Sequence, residues 1–492
     1  MRRLFVGLRT LACIGAAAAA GCASSGTAPK AAPERPSCES GTLGLEAAPL
    51  SRSVRKKLAL PDDAAGAVVV EVLPGGPAAA AGIRLGDVVS EIGPAAIRSD
   101  CDFDQAAHVR TCEPVTVVVR RGGASVSAVV VPVEAETFHE KGCRDGSPTA
   151  CFRHAFTLWA RNRGGDRERA ADIYQAACRA GSAGACSHEG RNLLDRPDLA
   201  SDAVPVLQKS CDLGSGSGCT SLAFLYATGK IVRRDDHRAT PLYVRACDLG
   251  DAHGCYNAGL MSDDGRGVPR DTARAVARYR EACELGSSTA CTNLGFHYEH
   301  GNGVEKNASR AFALYERGCR ATSCQASNLG GCLNAGRARR DGIGVEKDAA
   351  KAAEVFREAC DRKPDPDDPG SAENRSRGCS LLGGLYLAGD GVETDYAKGR
   401  ELSETGCEQG DAFGCFNAAA VYSAGSGVPA DPSRAAAFLE KACQAGDGEG
   451  CFDLGVASEK GKGVARDRKR AAELYRKACE LGFKSACGRK GR

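Results

Sequence analysis

Residues 255–291 read CYNAGLMSDDGRGVPRDTARAVARYREACELGSSTAC and carry the pattern that decides the fold. A cysteine opens an apolar run, and the glycine-containing stretch 264–268 then turns the chain. Asp271 follows the turn, where its carboxylate can accept hydrogen bonds from the free amides of a first helical turn. The sequence therefore predicts a pair of helices, the second running from Thr272 to Leu285 and closed by Gly286.

This pattern repeats through the second half of the chain with a base period of 36 residues. The cysteines that open successive units are Cys151, Cys186, Cys219, Cys255, Cys291, Cys332, Cys379, Cys415 and Cys451, with a truncated unit at Cys487. The residue that caps the second helix recurs as Asn307, Asp348, Asp395, Asp431 and Asp467. Ala275, Tyr279 and Ala282 form an apolar stripe that one helix pair cannot bury by itself, so the units are expected to stack into a solenoid.

The order Gly-x-Gly-Val-x-x-Asp, then Arg-Ala-x-x-x-Tyr-x-x-Ala-Cys, resembles the Sel-1-like repeat, a relative of the tetratricopeptide repeat. The resemblance covers residues 143–492 and implies a mainly α fold, a right-handed α/α solenoid with a long concave surface. The placement of the cysteines is similar to that in the secreted cysteine-rich branch of this family, in which each repeat carries one disulfide. The implied pairs are Cys143–Cys151, Cys178–Cys186, Cys211–Cys219, Cys247–Cys255, Cys283–Cys291, Cys319–Cys332, Cys360–Cys379, Cys407–Cys415, Cys443–Cys451 and Cys479–Cys487.

Metal binding and a thiol relay are the alternatives for these cysteines. The chain has 26 cysteines but no C-x-x-C, and the pairs recur without an adjacent histidine or acidic pattern, which favours a structural role. No metal and no cofactor are therefore expected. Cys38, Cys101, Cys112 and Cys324 remain unassigned, and a pairing of Cys101 with Cys112 stays open.

The first 21 residues have the character of an export signal, with Arg2, Arg3 and Arg9 before a short apolar run. The run ends in Ala19-Ala20-Gly21-Cys22, which resembles a bacterial lipobox and implies a lipid on Cys22. Ala19 departs from the usual leucine, so cleavage by ordinary signal peptidase is the alternative. Residues 22–41 are small, polar and rich in proline, as in a flexible linker. These features predict a lipoprotein of the bacterial cell envelope, where an oxidising compartment would permit disulfides.

Residues 42–136 differ in composition from the repeats. They contain short valine-rich runs bounded by glycine and proline, which predict strands. Thr42-Leu43-Gly44-Leu45, together with the stretch 66–87, resembles a PDZ domain of the type attached to HtrA proteases. This small β-rich (α+β) domain is implied to bind a peptide segment or C-terminus. The residues implied for the peptide site are Leu43, Gly44, Leu45, Phe103, Ala107 and His108, although Leu43, Leu45 and Phe103 are equally suited to a core.

The composition gives little support to enzymes or nucleic-acid binders. The formal charge is +3 and aromatic residues are 5% of the chain, so a basic, aromatic-rich face is not expected. No Gly-x-Ser-x-Gly nucleophile turn precedes the PDZ-like stretch, and the eight histidines are scattered. The cysteine-rich relatives imply one alternative, a β-lactam- or peptidoglycan-binding hydrolase, but Ser53-x-x-Lys56 has no companion motif. The favoured interpretation is a scaffold for protein or peptide partners, anchored to a membrane by lipid.

Overall fold

The structure is a computed structural model that describes residues 41–50, 52–61, 64–97, 100–107, 113–320, 328–364 and 369–489. Its N-terminal part is built on strands and short helices. The strands are β1 (Gly41–Thr42), β2 (Leu45–Pro49), β3 (Ala67–Val72), β4 (Val88–Ile92), β5 (Ala95–Ala96), β6 (Val115–Arg121), β7 (Ala124–Val130) and β8 (Val133–Glu134). The helices of this part are α1 (Arg52–Lys57), α2 (Pro77–Ala80) and α3 (Asp100–Ala107).

The main sheet of this part is antiparallel, with the order β2-β3-β4-β6-β7, and β5 pairs with β4. Strand β2 lies at one end of this order, so its outer edge has no partner strand among the described residues. Apolar side chains that alternate along the strands form one core with α3, including Val69, Val89, Val117 and Phe103. The valine-rich runs predicted as strands lie on β3, β6 and β7.

Helices fill the rest of the chain. They are α4 (Ala135–Arg144), α5 (Pro148–Arg161), α6 (Asp166–Arg179), α7 (Ala183–Leu194), α8 (Ala203–Asp212), α9 (Gly216–Thr228), α10 (Asp236–Asp248), α11 (Ala252–Asp264), α12 (Thr272–Glu284), α13 (Ser288–His300), α14 (Ala308–Cys319), α15 (Leu329–Asp341), α16 (Ala349–Asp361), α17 (Pro369–Ala388), α18 (Tyr396–Glu408), α19 (Ala412–Ala424), α20 (Pro432–Gln444), α21 (Gly448–Lys460) and α22 (Arg468–Glu480). They belong to two compact units, with the helices up to α13 in one and those from α14 onward in the other.

The predicted helix signals act as expected. Asp271 caps α12 by accepting a hydrogen bond from the Arg274 amide at 2.9 Å, and Asn307, Asp348, Asp395, Asp431 and Asp467 cap later helices in the same way. Gly286 follows α12 with φ +96°, the left-handed conformation that glycine adopts without strain. Ala275, Tyr279 and Ala282 are fully buried, as the stripe on α12 requires.

Ten disulfides lie within the described residues, and eight of them join the last turn of one helix to the first turns of the next. In the other two, Cys360 pairs with Cys379 in the middle of α17, and Cys479 pairs with Cys487, which follows the short 3-10 helix Lys484–Ala486. The Cα–Cα distances of these disulfides run from 4.3 Å to 4.9 Å, near the short end of the normal range. Cys283 and Cys291 illustrate the geometry, because they are eight positions apart and α12 ends and α13 begins between them. Cys13, Cys22, Cys38, Cys112 and Cys324 lie outside the described residues, as does the side chain of Cys101.

The turn between α7 and α8 departs from the common pattern. Between α7 and α8 the chain reads Asp195-Arg-Pro-Asp-Leu199 and lacks the paired glycines, and a short 3-10 helix, Ala200–Asp202, leads into α8. The helix pair and its disulfides are nevertheless retained. Within the described part of the chain, none of the helices combines the length and apolar character needed to cross a membrane.

Candidate functional site: a peptide groove beside the first repeat

The loop before β2 contains Leu43 and Gly44, which the sequence predicts to take part in holding a peptide carboxylate. Gly44 has φ +69°, and a Cβ added there would come within 2.9 Å of Pro77 Cδ. The carbonyl oxygens of Leu43 and Gly44 accept hydrogen bonds from the amides of Ala78 and Leu73, both at 2.9 Å. These bonds hold the loop rigidly, while the Gly44 amide donates only a 3.2 Å bond to Thr42 Oγ1.

The predicted peptide groove lies between α3, which contacts β2, and the outer edge of β2, which has no partner strand among the described residues. Leu43, Leu45 and Phe103 are almost fully buried, at 1%, 6% and 2% exposure, so they form the floor and core under the groove. The sequence left both roles open for these three residues, and the structure places all of them in the core cluster.

The walls of the groove are made of small residues. Ala47 on β2 and Ala106 and Ala107 on α3 are half-buried and pack against the same core cluster. Small side chains on both walls leave room for an apolar side chain of a ligand. His108, the remaining residue proposed for the groove, lies outside the described residues.

The other face of β2 and β3 carries two opposed acidic residues, Glu46 and Glu71. Glu71 accepts a 2.7 Å hydrogen bond from Thr149 Oγ1, and Glu46 forms a bidentate ion pair with Arg153. Thr149 and Arg153 stand one turn apart on α5, so the first repeat helix packs on the back of the strands that bear the groove. This contact cannot be predicted from the sequence, because the four residues carry no motif.

An aromatic cluster surrounds α5 on the repeat side. His188 on α7 stacks on Tyr174 with ring centroids 5.0 Å apart, and it meets the edge of Phe156 at 5.8 Å. Burial lowers the pKa of His188 to about 3, and the nearby guanidinium groups of Arg191 and Arg153 act in the same direction. His188 is therefore neutral at pH 7 and serves as a packed aromatic ring.

The later repeats share a polar position two residues after the cysteine that opens each first helix. Asparagine occupies it on α11, α13, α15 and α19, and all four side chains are half-buried (Asn257, Asn293, Asn334 and Asn417). Asn417 Nδ2 donates to the Ser380 carbonyl oxygen at 3.3 Å. An amide at this position can both donate to and accept from the backbone of an extended ligand.

The clearest metal-like cluster in the described residues does not offer a metal site. Cys247, Cys255 and Glu281 bring their ligand atoms within 4.8 Å of one another. The two cysteines are joined in a disulfide, however, and so supply no thiolate.

The architecture defines a class of protein: a series of helix pairs joined by disulfides and preceded in the chain by a small β-rich domain. Comparison with known proteins identifies both parts. The Sel1 repeat model matches residues 149–182, 216–251, 252–287, 288–323, 330–363, 376–411, 412–447 and 448–483, and the PDZ domain model matches residues 41–131. The repeat matches span more than half of the chain, which belongs to the Sel1 repeat family.

Individual relatives cover separate parts of the chain. Serine protease HTRA1 of Xenopus tropicalis is 32% identical over 99 residues, which are 19% of this chain and 21% of that protein, so the chain spans about a fifth of this curated relative. Helicobacter pylori cysteine-rich protein B is 33% identical, with coverage of 27% of this chain and 100% of that one and a TM-score of 0.23. A protective antigen of uropathogenic Escherichia coli with an SLR fold is 23% identical, with coverage of 71% and 80% and a TM-score of 0.46.

Proposed function

We propose that the protein is an envelope-anchored interaction scaffold whose PDZ domain captures the C-terminus of a partner and whose repeats hold a second partner. PDZ domains and Sel1 repeats are both protein-binding modules, which supports protein or peptide partners. The single observation that carries the proposal is the free edge of β2 beside the loop at Leu43, Gly44 and Leu45.

The ligand binds as an added strand. A terminal carboxylate held by the amides of the loop lies at the start of β2, so the rest of the peptide runs back along β2 in the antiparallel direction. Main-chain hydrogen bonds to the free edge provide affinity, and the alanine-walled groove accepts an apolar last side chain. The ligand class is therefore an extended peptide with a free C-terminus and an apolar final residue.

Peptide binding is tested by fluorescence anisotropy with labelled octapeptides that end in valine, as the free acid and as the amide. We expect the free acid to bind and the amide to bind at least tenfold more weakly, because the amide lacks the charge that the loop amides hold. Equal affinity for the two forms would refute carboxylate capture.

Two glycine variants localise the binding. Gly44→Ala is expected to abolish binding, since it strains φ and drives a Cβ into Pro77 Cδ at 2.9 Å. Gly75→Ala is the matched control, because Gly75 has the same φ of +69° but nothing within 4 Å of the added Cβ. Binding that survives both substitutions would place the peptide elsewhere.

The repeats provide the second surface through the recurring asparagines, whose amides can pair with the backbone of an extended chain. The predicted test is cross-linking in intact envelopes with Asn257→Ala/Asn293→Ala beside the parent protein. Loss of specific cross-linked partners in the variant, with the free-acid peptide still bound, would support two separate sites. An unchanged set of partners would rule out these asparagines.

Membrane anchoring rests on the lipobox-like Ala19-Ala20-Gly21-Cys22, which lies outside the described residues. The ten disulfides are consistent with an oxidising compartment. A Cys22→Ser variant is expected to leave the membrane fraction and to lose incorporation of labelled palmitate. Continued membrane association of that variant would exclude the lipid anchor.

A further inference from the structure

Helix α5 crosses the back of the groove strands in a definite direction. Thr149 bonds to Glu71 on β3, and Arg153, four residues later, pairs with Glu46 on the edge strand β2. Four helical residues rise about 6 Å, and neighbouring strands lie about 4.8 Å apart. The helix therefore advances by about one strand for each turn, from β3 to β2 and then past the free edge.

The next residue on the same stripe of α5 is Phe156. It lies three residues beyond Arg153, a rise of about 4.5 Å, which matches one more strand spacing. By this spacing a strand added to β2 would pass beneath Phe156, which also packs against the core of the first repeat. Its ring is half-buried, and Ala160, which continues the stripe, is exposed.

The register of a bound peptide identifies the side chain that Phe156 would meet. With its carboxylate at the loop, the last residue of the peptide lies opposite Leu45 and its penultimate residue lies opposite Glu46. Directly opposed residues of antiparallel strands project to the same face. The penultimate side chain therefore emerges on the face of Glu46, beneath α5, while the last side chain enters the groove on the face of Leu45.

The surroundings of Phe156 determine which side chain fits. His188 contacts Phe156 edge-on at 5.8 Å, and Trp159 lies at 6.4 Å with nearly parallel rings. The Arg153 guanidinium is occupied by Glu46 and does not offer a free cation to this spot. An aromatic side chain gains the most from such a surface, through both apolar contact and ring geometry.

We propose that the first repeat completes the PDZ peptide site: Phe156 contacts the penultimate side chain and selects C-termini that end in an aromatic residue followed by an apolar one. The inference rests on the proposed peptide-binding function and assigns a specificity residue from outside the PDZ domain. It gives the fusion of the two domains a role, since neither part alone presents both contacts.

The test compares two fluorescein-labelled free-acid peptides, Gly-Ser-Gly-Ser-Gly-Ser-Trp-Val and Gly-Ser-Gly-Ser-Gly-Ser-Ser-Val, on the full chain. The parent protein is expected to prefer the tryptophan peptide by roughly five- to tenfold, the range of one aromatic pair. Phe156→Ala is expected to reduce this preference to less than roughly threefold while the serine peptide binds as before. Phe224→Ala is the matched control, because Phe224 also stands five residues after the opening cysteine of its repeat.

The outcomes separate the two proposals. If neither peptide binds, or if the amidated forms bind equally well, peptide capture itself fails and this inference fails with it. If carboxylate-dependent binding is present but the parent shows no preference, or if Phe156→Ala keeps the preference, only the role of Phe156 is overturned. A loss of preference that also occurs in Phe224→Ala counts against the inference, and circular dichroism confirms that each variant is folded.

Discussion

The ring of Tyr279 lies against the backbone of Gly259: a Cβ added to this glycine would come within 2.6 Å of Tyr279 Cε1. The same relationship joins Gly455 to Tyr475 and Gly336 to Phe356, each with a closest approach of 2.7 Å. In these repeats the aromatic ring of a residue on the second helix packs directly against a glycine of the first helix. The close approach of the two helices therefore depends on a missing side chain.

Gly259→Ala is expected to destabilise its repeat by about 1–3 kcal/mol, because the added methyl group overpacks against a fully buried ring. Gly384→Ala is the matched control. There the nearest atoms are Asn417 Nδ2 at 3.3 Å and Phe413 Cε1 at 3.4 Å, and alanine gains up to about 1 kcal/mol of helix propensity. Urea unfolding followed by circular dichroism distinguishes the two, and equal losses would contradict the packing explanation.

The Cys283–Cys291 disulfide is expected to stabilise its junction by about 2–3 kcal/mol through closure of a short loop. The Cys283→Ala/Cys291→Ala variant should therefore exchange amide hydrogens faster in α12 and α13. Exchange in α5 and α6 should remain unchanged, since a repeat array opens locally. Cys479→Ala/Cys487→Ala is the control at a distant junction, and faster exchange everywhere in either variant would indicate global rather than local stabilisation.

Much of the fold could be predicted because its determinants are local. Asp271, Gly286 and the cysteine spacing each act within one or two helical turns, so a sequence pattern predicts their structure. The Glu46–Arg153 contact could not be predicted in this way, because it joins residues 107 positions apart and neither carries a recognisable motif. The peptide groove is predicted only through the resemblance to PDZ domains. The roles of Leu43 and Phe103 become clear only from the packing of the core in the structure.

Histidine 188 makes the first repeat sensitive to pH. Burial lowers the pKa of His188 to about 3, whereas the unfolded chain titrates near the ordinary value of about 6.5. Below pH ~6.5 the unfolded chain binds a proton on His188 more readily than the folded protein does. The free energy of unfolding is therefore at its full value above pH ~6.5 and decreases as the pH falls toward 3. The loss is expected to be about 1 kcal/mol per pH unit between pH 6 and pH 4.

The pH effect is measured by urea unfolding of the parent and of His188→Phe at pH 7 and pH 5. Phenylalanine keeps an aromatic ring beside Tyr174 but has no proton to bind, so the variant should lose less stability than the parent on acidification. His253→Phe is a suitable control, because His253 precedes the cysteine of its repeat and lies outside the aromatic cluster. An identical pH dependence in the parent and His188→Phe would show that His188 is not the responsible group.

The ion pair between Glu46 and Arg153 is expected to couple the edge strand of the groove to α5. Both side chains are largely buried, at 16% and 23% exposure, so removal of one partner leaves the other poorly compensated. Arg153→Glu should place two carboxylates together, loosen the contact by about 1–3 kcal/mol and increase hydrogen exchange in both β2 and α5. Adding Glu46→Arg reverses the pair and should restore much of the protection, whereas Arg144→Glu, at an exposed pair with Glu140, should have little effect on β2. If the double variant exchanges as fast as Arg153→Glu, charge pairing does not hold the two elements together, and the placement of Phe156 above a strand added to β2 loses its support.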